Sequence, residues 1–133
     1  MGDLTAVAGS LPGLDRLLID GELVGARGGA TFETINPATE EVLGVAADGT
    51  ADDMDAAIGA ARAAFDEGSW AADPAFRASC LRQLRDALQG RGEELRSLTT
   101  AEVGAPAFLT SGPQFDAPVE DLGWYADLLE TYD

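Results

Sequence analysis

The side chains that could do chemistry in this chain are few, and their types exclude most catalytic sites. The 133 residues include no His, all eight basic residues are Arg, and the single cysteine is Cys80. Without histidine the chain lacks the usual general base and the commonest metal ligand. Without lysine it lacks Schiff-base chemistry and the lysine of a phosphate-binding loop. One cysteine excludes an intramolecular disulfide and a cysteine-cluster zinc site. The groups that remain for chemistry are carboxylates, hydroxyls, arginine and the backbone.

Two clusters resemble binding motifs, and each has a simpler structural interpretation. Asp52, Asp53 and Asp55 could suggest a Ca²⁺ loop, but the glycine and terminal glutamate of an EF-hand are missing. An acidic first turn of a helix explains them fully. The glycines of residues 25–30 do not follow the G-x-G-x-x-G spacing, and no strand-then-helix context surrounds them. They predict a connector.

The charge of the chain limits its partners. The net charge is −16, and the arginines are scattered from Arg16 to Arg96 without forming a basic patch. Nucleic acids and anionic membrane surfaces are therefore not expected partners. No apolar run approaches the roughly 20 residues needed to cross a bilayer. The first residues also lack the basic segment of a secretory signal, so we expect a cytoplasmic protein.

The first third of the chain predicts two β-hairpins after a flexible tail at residues 1–13. Apolar runs flank Asp20-Gly21, and this dipeptide strongly favours a type I′ hairpin turn. Residues 31–35 and 41–45 read as a second pair of strands, joined by a turn at Asn36-Pro37.

The rest of the chain predicts about four helices, which makes the fold class α+β. The first starts at the cap Thr50, with Asp53 three residues on as in a capping box, and ends at Gly68. The second opens at Asp73-Pro74, the third covers residues 93–103, and the fourth runs from about 118 to 132. Gly104 is predicted to end the third helix. Each helix carries one apolar stripe. On the second helix, Leu84 is expected on the inner face, and Arg82 and Arg85 are expected to point outward. On the fourth, Trp124 and Tyr125 beside the stripe are expected to belong to the core.

Four stretches in order resemble the N-terminal part of the aldehyde dehydrogenase superfamily. They are Leu-Ile-Asp-Gly-Glu at 18–22, Thr-Ile-Asn-Pro-Ala-Thr-Glu-Glu-Val at 34–42, the Asp-Met-Asp to Ala-Ala-Phe helix at 53–65, and Glu-Val-Gly-Ala-Pro at 102–106. Trp124-Tyr125-Ala126 is similar to the aromatic pair that usually follows. Glu40 replaces a commoner glycine, and Ala105 replaces a lysine. The resemblance covers roughly residues 17–133.

The resemblance implies that residues 14–133 are the leading part of an α/β Rossmann-like nucleotide-binding domain. Family members use NAD or NADP to oxidise aldehydes to carboxylic acids. Their cofactor-binding lysine, glycine-rich turn, general-base glutamate and nucleophilic cysteine all lie beyond the matched region. No catalytic or cofactor-binding residue is therefore expected here, and neither NAD nor NADP is expected to bind this chain alone. Cys80 falls on the second helix, where a small apolar packing role is expected.

The resemblance implies one candidate ion site. Some family members bind a monovalent cation through an acidic side chain at the position of Glu102 and through backbone carbonyls at the positions of Thr34 and Ile35. Hard oxygen ligands suit such an ion. An ordinary solvated carboxylate at a helix end is the alternative for Glu102.

Three functional hypotheses remain open. The chain is a fragment of an aldehyde dehydrogenase, truncated or split and inactive alone, whose partner is the missing remainder. Alternatively, it is a non-catalytic interaction module that docks onto full-length homologous subunits. An independent enzyme of another type is the third hypothesis, which the lack of His and Lys disfavours. Because each helix has only one apolar stripe, the fragment is expected to be loosely packed.

Overall fold

Two β-hairpins lead the chain and five helices follow. The computed structural model describes residues 15–131, so the predicted tail at 1–13 lies outside the described residues. The strands are β1 (Leu17–Ile19), β2 (Glu22–Val24), β3 (Thr31–Ile35) and β4 (Val42–Ala47). The helices are α1 (Ala51–Glu67), α2 (Pro74–Gly90), α3 (Gly92–Val103), α4 (Ala107–Thr110) and α5 (Asp116–Thr131). The α+β class is confirmed, with the short α4 added. Within residues 15–131, no helix is long and apolar enough to cross a membrane.

The first hairpin forms around the predicted glycine turn. β1 and β2 are antiparallel, with Leu18 opposite Leu23. Asp20 and Gly21 both have positive φ, 53° and 77°, which is the conformation of a type I′ turn. β3 and β4 form a separate two-stranded antiparallel sheet, with an irregularity in register between Thr34 and Ile35.

The turn between β3 and β4 is organised by a buried asparagine. The Oδ1 atom of Asn36 accepts hydrogen bonds from the backbone N–H groups of Ala38, at 2.9 Å, and Thr39, at 3.4 Å. Glu40 has a φ of 60°, in the left-handed region that favours glycine. This explains why glycine is commoner at that position in the resembling family, and a non-glycine residue there costs about 1–2 kcal/mol.

Helix α1 has the predicted N-terminal capping box. The backbone N–H of Asp53 donates to Thr50 Oγ1 at 3.3 Å, and the N–H of Thr50 donates to Asp53 Oδ2 at 2.8 Å. The predicted apolar stripe is present, but other residues leave it largely uncovered. Met54 and Ile58 are 61% and 59% exposed, and Phe65 is also exposed. Asp53 is the only residue of α1 classed as buried.

Helices α2 and α5 form the main packed pair of the described chain. Ala78 of α2 and Ala126 of α5 are completely buried, and Val119 and Gly123 of α5 are buried as well. Small side chains let the two backbones approach closely. No large side chain among residues 15–131 is fully buried, and the apolar core is small: Leu43, Ala78, Ala101, Ala105, Val119 and Ala126.

Some predictions about helix faces are wrong. Arg82 and Arg85 of α2 were expected to point outward, but Arg82 binds carboxylates on α5 and Arg85 lies against Gly123. Leu84, expected on the inner face, is 48% exposed. Long arginine stems can cover apolar surface while the charged head remains paired or hydrated, which is compatible with their place at this contact.

Helix α3 ends at the predicted glycine. Gly104 has a φ of 70°, and its N–H donates to the carbonyl of Thr100 at 3.0 Å. A Cβ atom at this position would lie 2.9 Å from Cγ of Pro37. Glycine therefore meets two requirements here, a left-handed backbone and close contact between the end of α3 and the β3–β4 turn.

Candidate functional site

Two of the three residues predicted to bind a cation lie at the same cavity. Thr34 and Glu102 both line a cavity of about 70 Å³ between the β3–β4 hairpin and α3. Ile35 is not among the residues that line it, and the others are mostly apolar: Leu43, Gly44, Val45, Ala46 and Leu98. The Gly104–Pro37 contact next to the cavity holds the end of α3 against this hairpin.

The cavity presents little of what a metal site needs. Glu102 is exposed, and residues 15–131 contain no group of three or more His, Cys, Asp or Glu side chains that could hold a metal ion. A monovalent cation would have to take most of its ligands from backbone carbonyls. The cation-binding roles of Glu102, Thr34 and Ile35 therefore stay predictions.

The most constrained carboxylate is Asp53, and its hydrogen bonds are used within the fold. Its Oδ2 accepts from the backbone N–H of Thr50 and from Thr50 Oγ1, each at 2.8 Å, and from the N–H of Arg27 at 3.2 Å. These hydrogen bonds, those from Thr50 foremost, hold the pKa of Asp53 below its usual range. The helix-cap interpretation of the acidic cluster is supported.

The glycine-rich stretch does not have the setting of a dinucleotide-binding turn. The glycine-rich stretch at 25–29 connects two strands, whereas such a site needs a glycine-rich turn between a strand and a helix N-terminus. The N-terminus of α1 carries the carboxylates of Asp52 and Asp53, which would repel a phosphate. Cys80 is a free, half-buried thiol on α2.

The polar cluster that sequence reasoning missed joins α2 to α5. The Nη1 of Arg82 donates to Glu130 Oε1 at 2.6 Å, and its Nη2 donates to Asp127 Oδ1 at 2.9 Å. The hydrogen bonds from Arg82 lower the pKa of Glu130. The three-residue spacing of the two acids, which places them on one helical face, was the available signal. The cluster holds two helices together and presents no reactive group.

Comparison with known proteins shows that this chain matches part of longer proteins. The model of the "Aldehyde dehydrogenase family" matches residues 24–133. The chain is 38% identical to the putative aldehyde dehydrogenase DhaS of Bacillus subtilis and 34% identical to the NADP/NAD-dependent aldehyde dehydrogenase PuuC of Escherichia coli. Each match covers 87% of this chain and 24% of the relative. The NAD⁺ complex of an aldehyde dehydrogenase from Bacillus cereus matches 96% of this chain and 26% of its own, with a TM-score of 0.86 and 38% identity.

Proposed function

The chain belongs to the aldehyde dehydrogenase family, and we propose that it is the N-terminal segment of an NAD(P)-dependent enzyme that oxidises aldehydes to carboxylic acids. The observation that carries this proposal is the structural match, since the fold is retained at a TM-score of 0.86 within a chain about four times as long. The chain spans about a quarter of the length of the curated relatives it matches.

We propose that this segment is inactive alone. Aldehyde oxidation needs a nucleophile at the carbonyl carbon and an acceptor for the hydride. Cys80 has no histidine or lysine to activate it, because the chain contains neither. The described residues also offer no turn that would fit a dinucleotide. The segment contributes packing surface, and the chemistry is assigned to the rest of the polypeptide.

The test of inactivity is direct. The purified chain, mixed with NAD⁺ or NADP⁺ and either acetaldehyde or benzaldehyde, is expected to give no absorbance at 340 nm above the protein-free control. Cys80→Ser is the matched variant, since it removes the only thiol. Aldehyde-dependent NADH or NADPH formation by the unmodified chain would refute the proposal, and its loss in Cys80→Ser would assign the reaction to this thiol.

A second candidate function is docking onto full-length dehydrogenase subunits. The exposed apolar side chains of α1 and α5 favour it, because surfaces of this kind mark interaction sites. Co-purification of the tagged chain with the B. subtilis relative would support it. Failure to recover that relative, under conditions in which the relative's own subunits assemble, would exclude it.

The cation site is also testable. If Glu102 and the carbonyls of Thr34 and Ile35 bind sodium or potassium, the ion should slow amide exchange in β3 and at the end of α3. Exchanging choline for potassium at constant ionic strength is the measurement. Glu102→Ala should abolish the effect, whereas Glu93→Ala, which removes an exposed carboxylate from the other end of α3, should retain it. No difference between the salts would contradict the proposal.

A further inference from the structure

Helix α5 is apolar on the side opposite the one it buries. Its inner side packs on α2, yet Trp124 and Tyr125 are 59% and 53% exposed and Leu128 is exposed as well. A helix with apolar side chains on two opposite faces can pack against one layer on each side. One of those layers, α2, is present in the described structure, and nothing among residues 15–131 covers the other side.

The exposed side forms a defined surface with one charge in it. Asp121, Trp124, Tyr125 and Leu128 follow the spacing i, i+3, i+4 and i+7, so they share one helical face. We name these four residues the outer face of α5. The rings of Trp124 and Tyr125 contact each other edge to face, with centroids 4.9 Å apart. None of the ion pairs among residues 15–131 includes Asp121.

A second copy of the chain is a poor occupant for this face. In a two-fold contact, each copy would bring Asp121 to the same interface, and the net charge of −16 would repel the copies further. All eight arginines are already engaged, seven with carboxylates and Arg77 with the carbonyls of Trp70 and Ala71. This arrangement favours a cation from a different sequence as the partner of Asp121 on burial.

We propose that the outer face of α5 docks an apolar segment that carries an arginine or lysine opposite Asp121, supplied by the part of the dehydrogenase that this chain does not contain. The inference rests on the proposed function for the source of that segment. The apolar groups of the segment cover Trp124, Tyr125 and Leu128, whose burial drives association. The basic group compensates the carboxylate and sets the register.

The test uses the whole 133-residue chain and peptides that tile the part of the B. subtilis relative outside the matched region. Binding is expected for a peptide that combines apolar and basic residues. Asp121→Lys is expected to weaken it at least tenfold, and Leu128→Asp is expected to do the same. Asp55→Lys makes the same charge change on α1 and should leave binding within twofold. Asp121 is exposed, so far-UV circular dichroism of Asp121→Lys should match the unmodified chain.

Three results would overturn the inference. They are the absence of binding to every peptide, binding that Asp121→Lys leaves unchanged, and a concentration-dependent dimer that Leu128→Asp abolishes, which would assign the face to a second copy. The proposed function fails in a different experiment. Aldehyde-dependent NADH formation by the chain alone would contradict it, and that result does not test binding to α5.

Discussion

Helices α1 and α2 have the same length, 17 residues, and both are amphipathic and capped, but they differ in what they bury. Helix α2 packs on α5 through the completely buried Ala78. The stripe of α1, which includes Met54 and Ile58, is exposed along its length, and the only residue of α1 classed as buried is the capping Asp53. A stripe in a sequence therefore shows that a helix needs a partner, and it does not show whether that partner lies in the same chain.

This contrast predicts two levels of protection against amide hydrogen exchange. The amides of α2, α5 and the end of α3 should open rarely, and those of α1 should open often, because local stability follows buried contacts. Substitutions at the packed contacts should raise exchange strongly. Equivalent substitutions on α1 should have little effect.

The largest effect is expected at Gly104. Gly104→Ala places a Cβ on a left-handed backbone, which costs about 1–2 kcal/mol of stability. The same Cβ meets the ring of Pro37, and this overpacking costs about 1–3 kcal/mol more. Opening of the α3 end and of the β3–β4 turn should become easier by roughly 3 kcal/mol, or more than 100-fold in exchange rate. Gly90→Ala is the matched control, since open space surrounds a Cβ there. Equal exchange in both variants would show that α3 does not pack on the turn.

A smaller effect is expected within the helix pair. Ala126→Leu adds three carbons to a fully buried position between α5 and α2, and overpacking of this kind costs about 1–3 kcal/mol. Exchange should accelerate in both helices. Ala61→Leu makes the same change on the exposed side of α1 and should alter stability by no more than about 0.5 kcal/mol. If the two variants behave alike, the distinction between the two regions is wrong.

Local features were predictable from the sequence, and the choice of contacts was not. The type I′ turn at Asp20-Gly21, the capping box of Thr50 and Asp53, and the left-handed Gly104 were all predicted correctly, because each depends on residues a few positions apart. For the candidate site, the family resemblance implied that Glu102 lies near Thr34 and Ile35, and Thr34 and Glu102 line one cavity.

The errors concern contacts between distant elements. Trp124 and Tyr125 were expected in the core and are exposed, although their helix was identified correctly. Arg82 was expected in solvent and instead bridges to Asp127 and Glu130, 45 and 48 residues away. Periodicity locates an apolar stripe, but the partner of each face depends on the tertiary arrangement, which one helix does not encode.

Acid should weaken the α2–α5 contact. Because Arg82 lowers the pKa of Glu130 in the folded chain, the contribution of this carboxylate is present above its usual pKa of 4.5 and is lost as the pH falls through the lower folded value. The pair is solvent-exposed, so the effect should be smaller than that of overpacking. Far-UV circular dichroism between pH 7 and pH 2 is the measurement, and Glu130→Gln should reduce the loss of helical signal on the acid side of this curve, the acid limb. Glu67→Gln, the same neutralisation on α1, should leave it unchanged; an unaltered limb in Glu130→Gln would contradict the assignment.

The smallest effect is expected on the stripe of α1. Ile58 is 59% exposed, so Ile58→Ser removes an apolar group that contributes little to folding and should change α1 exchange by no more than about 0.5 kcal/mol, roughly twofold. The same substitution should reduce the fluorescence of a hydrophobic dye such as anilinonaphthalene sulfonate, because the stripe is available to bind it. Destabilisation well above 1 kcal/mol would mean that α1 is covered in solution. The exposure of α1 that distinguishes it from α2 would then not hold in solution. The stripe of α1 would not be free to pack against the rest of a dehydrogenase.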